Sequence, residues 1–221
     1  MILALGAALD IPLRDQNVLL QSAGCSAEFA EPAFAEGLPP AIERAIKRML
    51  VQQEPFPMTV VNHRYDILKT NRAAARLMSR FISEPSAVAT PANVMHLLFD
   101  PRLCRSFVND WKHVARTLMA RIQRECLARP SDGALGKLME SLLAYPDVPQ
   151  VFRAPDLSAP SEPTLSIRLR RDELSLSFLT TVTVFNAPQN VTLDELKIDS
   201  FFPLDEETAR TCERWAASDR E

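Results

Sequence analysis

The run Leu165-Ser166-Ile167-Arg168-Leu169-Arg170-Arg171-Asp172-Glu173-Leu174-Ser175-Leu176-Ser177-Phe178 alternates apolar and polar side chains around a charged break. Leu165, Ile167 and Leu169 fall on one side of an extended chain and Ser166, Arg168 and Arg170 on the other, the two-residue period of a half-buried strand. Arg171-Asp172-Glu173 supplies a turn, after which Leu174, Leu176, Phe178, Val182 and Val184 restore the alternation. A second turn at Asn186–Asn190, containing Pro188, leads to a third strand over about Thr192–Phe202. Successive strands joined by short turns predict an antiparallel meander.

Upstream of the meander, Met58–Val61 and Tyr65–Lys69 are short β-type runs joined by Asn62-His63-Arg64, a tight hairpin. Pro55-Phe56-Pro57 keeps the preceding helix, Pro40–Gln53, from running into the first strand. Thr70 or Asn71 caps a helix over Arg72–Phe81, with Ala74, Leu77, Met78 and Phe81 facing inward. A short apolar helix over Asn93–Phe99 comes next. Asp100-Pro101 then reads as a strong helix start, a carboxylate before a proline. The helix behind it is expected to run to Ala128 with Phe107, Trp111, Val114, Leu118 and Ile122 as its inward stripe. Pro130 and Ser131 open a further helix that ends at Tyr145-Pro146, and Asp205 caps a closing helix over Glu206–Ala217. At the N-terminus, two short helices end at Asp10-Ile11-Pro12 and at Gly24.

The order is helix, hairpin, helical block, meander, helix. One five-stranded antiparallel sheet with helices grouped on one face satisfies it most simply, an α+β class fold. Two strands, a helical insert and three closing strands is also the order of a PAS domain. Residues 1–37 are then a helical connector and 38–221 the PAS-like domain.

Composition excludes several functions. Five glycines among 221 residues make a protein built on Gly-rich phosphate loops improbable. A net charge of −3 gives no reason to expect nucleic acid along the chain as a whole. Cys25, Cys104, Cys126 and Cys212 are scattered without a C-x-x-C pair, which suits a reducing cytoplasm. No basic residue precedes the apolar opening, and Arg14, Asp15, Gln16 and Asn17 interrupt it, so it is no export signal. A cytoplasmic protein without membrane contact is expected.

Catalytic patterns are thin. His63, His96 and His113 show no metal spacing to each other or to a cysteine, and no G-x-S-x-G surrounds a serine. No enzyme, cofactor or metal is read from these residues. The sheet and helices instead suit a small-molecule cavity, with Phe99, Phe107, Trp111, Val114 and Leu118 as candidate walls. Phe56, Asn71, His96 and Phe178 complete the ligand-site candidates. Asn71 is a helix cap or a polar contact to ligand. Arg102 and Arg116 either coat the outer face of the long helix or, as cations at the cavity mouth, hold an anionic head group. In the second case their alanine variants weaken binding of an acid more than of the matching alcohol.

The chain also carries family marks. Leu9-Asp10-Ile11-Pro12-Leu13-Arg14-Asp15-Gln16-Asn17, Leu20 and Ala23-Gly24 resemble the segment that links DNA-binding and sensor domains in bacterial MmyB-like regulators. Pro55-Phe56-Pro57-Met58, Val61, Tyr65-Asp66-Ile67-Leu68 and Asn71-Arg72-Ala73-Ala74 resemble that sensor's opening hairpin. Asn93, Leu97-Leu98-Phe99-Asp100-Pro101-Arg102, Asn109-Asp110-Trp111 and Ala115 resemble its middle. Thr192-Leu193-Asp194-Glu195-Leu196 and Phe201-Phe202-Pro203 resemble one branch of the family. The resemblance implies the ligand-sensing domain of a one-component transcription factor, binding an apolar, fatty-acid-like molecule. It implies a homodimer that touches DNA only through a helix-turn-helix domain outside these residues. The competing expectation is a ligand-free dimerisation module whose core is filled by its own side chains.

Overall fold

The computed structural model describes residues 1–11, 13–29, 38–128, 132–154, 164–185 and 196–218. The hairpin strands β1 (Met58–Val61) and β2 (Ile67–Thr70) join the meander strands β3 (Thr164–Arg171), β4 (Leu174–Val184) and β5 (Lys197–Pro203) in one sheet, ordered β2-β1-β5-β4-β3. Every pairing is antiparallel. This strand order, with the helices inserted between β2 and β3, is a PAS-like α+β architecture. The last strand in sequence therefore sits at the centre, with Met58 opposite Ser200 on one side and Phe178 opposite Pro203 on the other.

Helices α4 (Arg72–Phe81), α5 (Val94–Phe99), α6 (Trp111–Ala128) and α7 (Gly133–Leu143) form the main helical layer. They share the large apolar core with β3 and β4, in which Phe81, Phe99, Ile122, Leu135 and Phe178 are fully buried. Helix α3 (Pro40–Gln52) adds a smaller patch on the other face, where Ile46 and Leu50 meet Met58, Val60 and Ile198. Helix α8 (Glu206–Ser218) starts on the expected cap, Asp205, whose Oδ1 accepts the Thr208 N–H at 2.7 Å. It docks to β4 through Thr208 Oγ1, which accepts the Ser177 N–H at 2.9 Å.

Two boundaries differ from expectation. Strand β2 begins at Ile67, not Tyr65. Asn62 Oδ1 accepts the N–H groups of Arg64 and Asp66, both at 2.9 Å, which widens the turn. Tyr65 takes a positive φ of 67° there and turns into the core.

The second correction is larger. No helix starts at Pro101; α6 begins at Trp111. The Asp100 carboxylate, instead of capping a helix, is filled by Arg102: its backbone N–H at 2.9 Å, Nε at 3.1 Å and the terminal nitrogen at 2.7 Å. The chain then makes a short 3-10 turn over Arg105–Phe107, and Val108 bridges to Leu169 on the edge strand β3. That covers one unpaired sheet edge. Asp110, at φ 51°, redirects the chain into α6.

At the N-terminus, α1 (Ile2–Ala8) and α2 (Leu13–Ser22) pack together, and Gly6 lies so close to Gln16 that an added Cβ would sit 2.6 Å from its side chain. Asn17 Oδ1 accepts the N–H groups of Glu28 and Phe29 at 3.1 and 3.0 Å, folding the chain after α2 back onto it. The expected breaks at Pro12, Pro130 and Asn186–Asn190 lie outside the described residues, as do residues 192–195 of the expected third strand.

Candidate functional site

Side chains alternate along a strand, so Thr59 on β1 and Asp199 and Phe201 on β5 face away from the α3 patch. Thr59 and Asp199 are direct cross-strand partners. Above them, α4 contributes Leu77, Met78 and Phe81, and α5 contributes Val94, Leu97 and Leu98. Cys104, Ile167 and Leu169 close the far end. Together they line a cavity of about 90 Å³, apolar among its described residues except for Thr59 and Asp199.

The local sequence explains this placement. Asn71 caps α4 by accepting the Ala74 N–H at 2.9 Å, and the same oxygen takes the Met58 N–H at 3.0 Å. Its amide nitrogen donates to the Phe56 carbonyl at 2.8 Å and the Leu50 carbonyl at 3.4 Å. One side chain thus fixes the start of α4 to β1 and to the end of α3. Asn93 caps α5 in the same manner, accepting the Met95 N–H at 3.0 Å.

Electrostatically, Asp199 is the unusual member. Burial pushes its carboxyl up to about 6, with Glu125 adding to the rise and Arg121 and Lys197 opposing it. No hydrogen bond or ion pair engages it among the described residues. Next along the same face, Lys197 Nζ donates to Glu125 Oε1 at 2.6 Å and lies 4.1 Å from the centre of the Tyr65 ring. Tyr65 donates its hydroxyl to the same Glu125 oxygen at 2.8 Å. Burial, reinforced by Glu125, holds the Tyr65 phenol protonated well above its ordinary range. The thiol of Cys104 is pushed up to about 12 by burial, so it is an apolar wall rather than a nucleophile.

None of the ligand-site candidates read from the sequence lines this cavity. Phe107 packs edge-on against Phe81 at 5.8 Å, and Phe178 edge-on against Phe201 at 5.8 Å, so both stand one layer behind the wall. Val114 and Leu118 are buried in the main core, and Phe56 is packed on its edge. Phe99 is fully buried beside Trp111, whose Nε1 donates to the Leu98 carbonyl at 2.7 Å. Asn71 is occupied as a cap. His96 Nδ1 lies 2.9 Å from the Tyr145 hydroxyl, and burial lowers its pKa. Arg102 serves Asp100, and Arg116 lies on the exposed face of α6.

The polar pair that does line the cavity, Thr59 and Asp199, was missed. Ile198 and Ser200 are buried on one side of β5 while Asp199 and Phe201 face the cavity on the other. Alternation shows that β5 has two faces; with both covered, it does not show which holds the space. A charged residue within an apolar strand was the available signal.

Among the described residues, no group of three or more His, Cys, Asp or Glu could hold a metal ion. No described helix is long and apolar enough to cross a membrane.

Comparison with known proteins adds three findings. A family model described as the MmyB-like transcription regulator ligand binding domain matches residues 42–214. No curated protein matches the chain. Among solved structures, an RNA-binding light-oxygen-voltage receptor is similar over 94% of this chain at 14% identity and a TM-score of 0.34; the match spans 48% of that receptor's chain.

Proposed function

This chain belongs to the MmyB-like transcription regulator ligand-binding domain family, and on that footing we propose that the cavity under α4 and α5 is its sensing site, occupied by an apolar, fatty-acid-like molecule. The family is a regulatory one and performs no catalysis. The observation that carries the proposal is a cavity lined by α4, α5 and the sheet, apolar except for Thr59 and Asp199. In the whole regulator, a cytoplasmic homodimer, a separate helix-turn-helix domain makes the DNA contact.

The volume constrains the mechanism. An apolar cavity of roughly 150 Å³ is known to hold benzene, and about 90 Å³ is smaller. A chain of ten or more carbons therefore enters only if α4 or α5 moves outward. Helix α5 has six residues, and its Leu98 carbonyl holds Trp111 at the start of α6. Displacing α5 pulls on Trp111, and α6 carries that movement along its length.

Native mass spectrometry with extraction of co-purified lipids tests the proposal, alongside thermal shifts with C10–C18 fatty acids and the matching alcohols. A bound small molecule, or stabilisation that grows with chain length, supports it. A homogeneous empty protein that no such compound stabilises overturns it.

The competing reading is a dimerisation module with no ligand. It rests on the apolar side chains that α1 and α2 expose, Leu3, Leu5 and Leu19, with Leu9 just beyond α1. Sedimentation of the chain with and without residues 1–37 separates it from the first, because only here does removal dissociate a dimer that binds nothing.

A further inference from the structure

The polar end of the cavity says more about the ligand than its apolar walls do. Thr59 and Asp199 stand side by side across β1 and β5, and the rest of the described lining is apolar. No arginine or lysine is among the described lining residues. Asp199 offers two acceptor oxygens that nothing in the described structure engages with a hydrogen bond. A ligand group satisfies Asp199 only by donating a proton into a hydrogen bond; one that only accepts can take the Thr59 hydroxyl but leaves both carboxylate oxygens unsatisfied in an apolar space.

Net charge narrows the choice. The charged groups that act on Asp199 are Arg121 and Glu125 from α6 and Lys197 from β5 itself, with the neutral Tyr65 hydroxyl beside them. With Asp199 ionised, these are two anions and two cations, already balanced. A carboxylate ligand adds an uncompensated negative charge beside Asp199. An ammonium adds a third cation to the Arg121 and Lys197 pair. Each leaves a net charge in surroundings of low dielectric, where unpaired charge is costly. A neutral hydroxyl adds none, donates to Asp199 and can accept from Thr59 Oγ1.

We propose that Thr59 and Asp199 form the head-group end of the ligand site and select an apolar molecule with a neutral, hydrogen-bond-donating hydroxyl over the matching carboxylate or ammonium. This rests on the cavity being the sensing site, and it replaces the fatty-acid head with an alcohol of the same apolar character.

Isothermal titration of the full chain at pH 7.5 with 1-octanol, octanoate, octylammonium and 1-fluorooctane tests it. The expected result on the unaltered protein is octanol binding at least tenfold tighter than octanoate or octylammonium, with fluorooctane between. Asp199→Asn should cut the preference for octanol over octanoate about tenfold. Thr59→Val should weaken octanol a few-fold and leave fluorooctane unchanged. The comparison among probes on the unaltered protein needs no variant to fold. Octanoate or octylammonium binding as tightly as octanol overturns the head-group assignment and leaves the cavity as the ligand site. Binding of none of the four overturns the sensing-site reading and this assignment with it.

Discussion

Above about pH 6, the buried carboxylate of Asp199 makes the domain less stable. Its carboxyl titrates near 6 in the folded chain, against about 3.8 when unfolded. Between those values the folded state holds a proton that the unfolded state has lost, so stability falls as pH rises from about 4 to 6. Above that window the penalty is complete, of the order of 2–3 kcal/mol for a shift of this size. Asp199→Asn should therefore gain about 1–3 kcal/mol above pH 7 and flatten the pH dependence between 4 and 6. Asp100, Asp205 and Glu43 have lowered pKa values and pull the opposite way, so the measurement is the difference between the two proteins in urea unfolding. Identical slopes for both would show that the carboxyl is fully solvated. Asn71 is the opposite kind of residue, polar and wholly structural. Asn71→Ala removes the cap of α4 and the tie to Met58 and leaves the Phe56 carbonyl without its donor. A loss of about 2–4 kcal/mol is expected, measured by the same unfolding.

Among the helices and strands, α5 is the one the proposed mechanism asks to move. It is short, it roofs the cavity, and Trp111 Nε1 grips its last turn at the Leu98 carbonyl. Trp111→Phe keeps a ring beside Phe99 and deletes that grip. Amide exchange across Leu97–Asp100 should accelerate roughly tenfold while β4 and β5 stay protected. Unchanged exchange would mean that α5 is held by burial alone and that Trp111 transmits nothing. This element also shows where the sequence stopped being readable. The caps at Asn71 and Asp205 and the strands of the meander depend on neighbours within a few residues, and each stands where the pattern put it. Asp100-Pro101 is as strong a local signal, but its carboxylate was claimed by Arg102 before a helix could use it. The path from there to α6 is fixed by Val108 reaching Leu169, a contact across some sixty positions that no short window contains. The site candidates stand outside this cavity for a related reason. Periodicity tells which side chains point inward, and Phe107, Val114, Leu118 and Phe178 were on inward-facing runs. It does not tell where packing leaves room.

Across the molecule, no described residue before Leu38 contributes to the large apolar core or to the α3 patch. A chain of residues 38–221 should keep a single cooperative unfolding transition, within about 5 °C of the full chain, and keep its octanol affinity. Loss of folding in the shortened chain would show that α1 and α2 are part of the sensor and not its connector. The sheet order also governs how the protein is made. Strand β5 is the partner of both β1 and β4, so among the described strands the hairpin is joined to the meander only through one synthesised after all the others. At ordinary rates of synthesis, β1 waits roughly seven to thirty seconds for the residues that seal it. Until then its edge and the floor of the cavity are open. A chain truncated anywhere before Lys197 therefore lacks the middle of its sheet rather than its rim, and neither Asp199 nor the strand that carries it exists. Such a product should be cleared by proteases as an unfolded chain, instead of lingering as a regulator that no longer answers to its ligand.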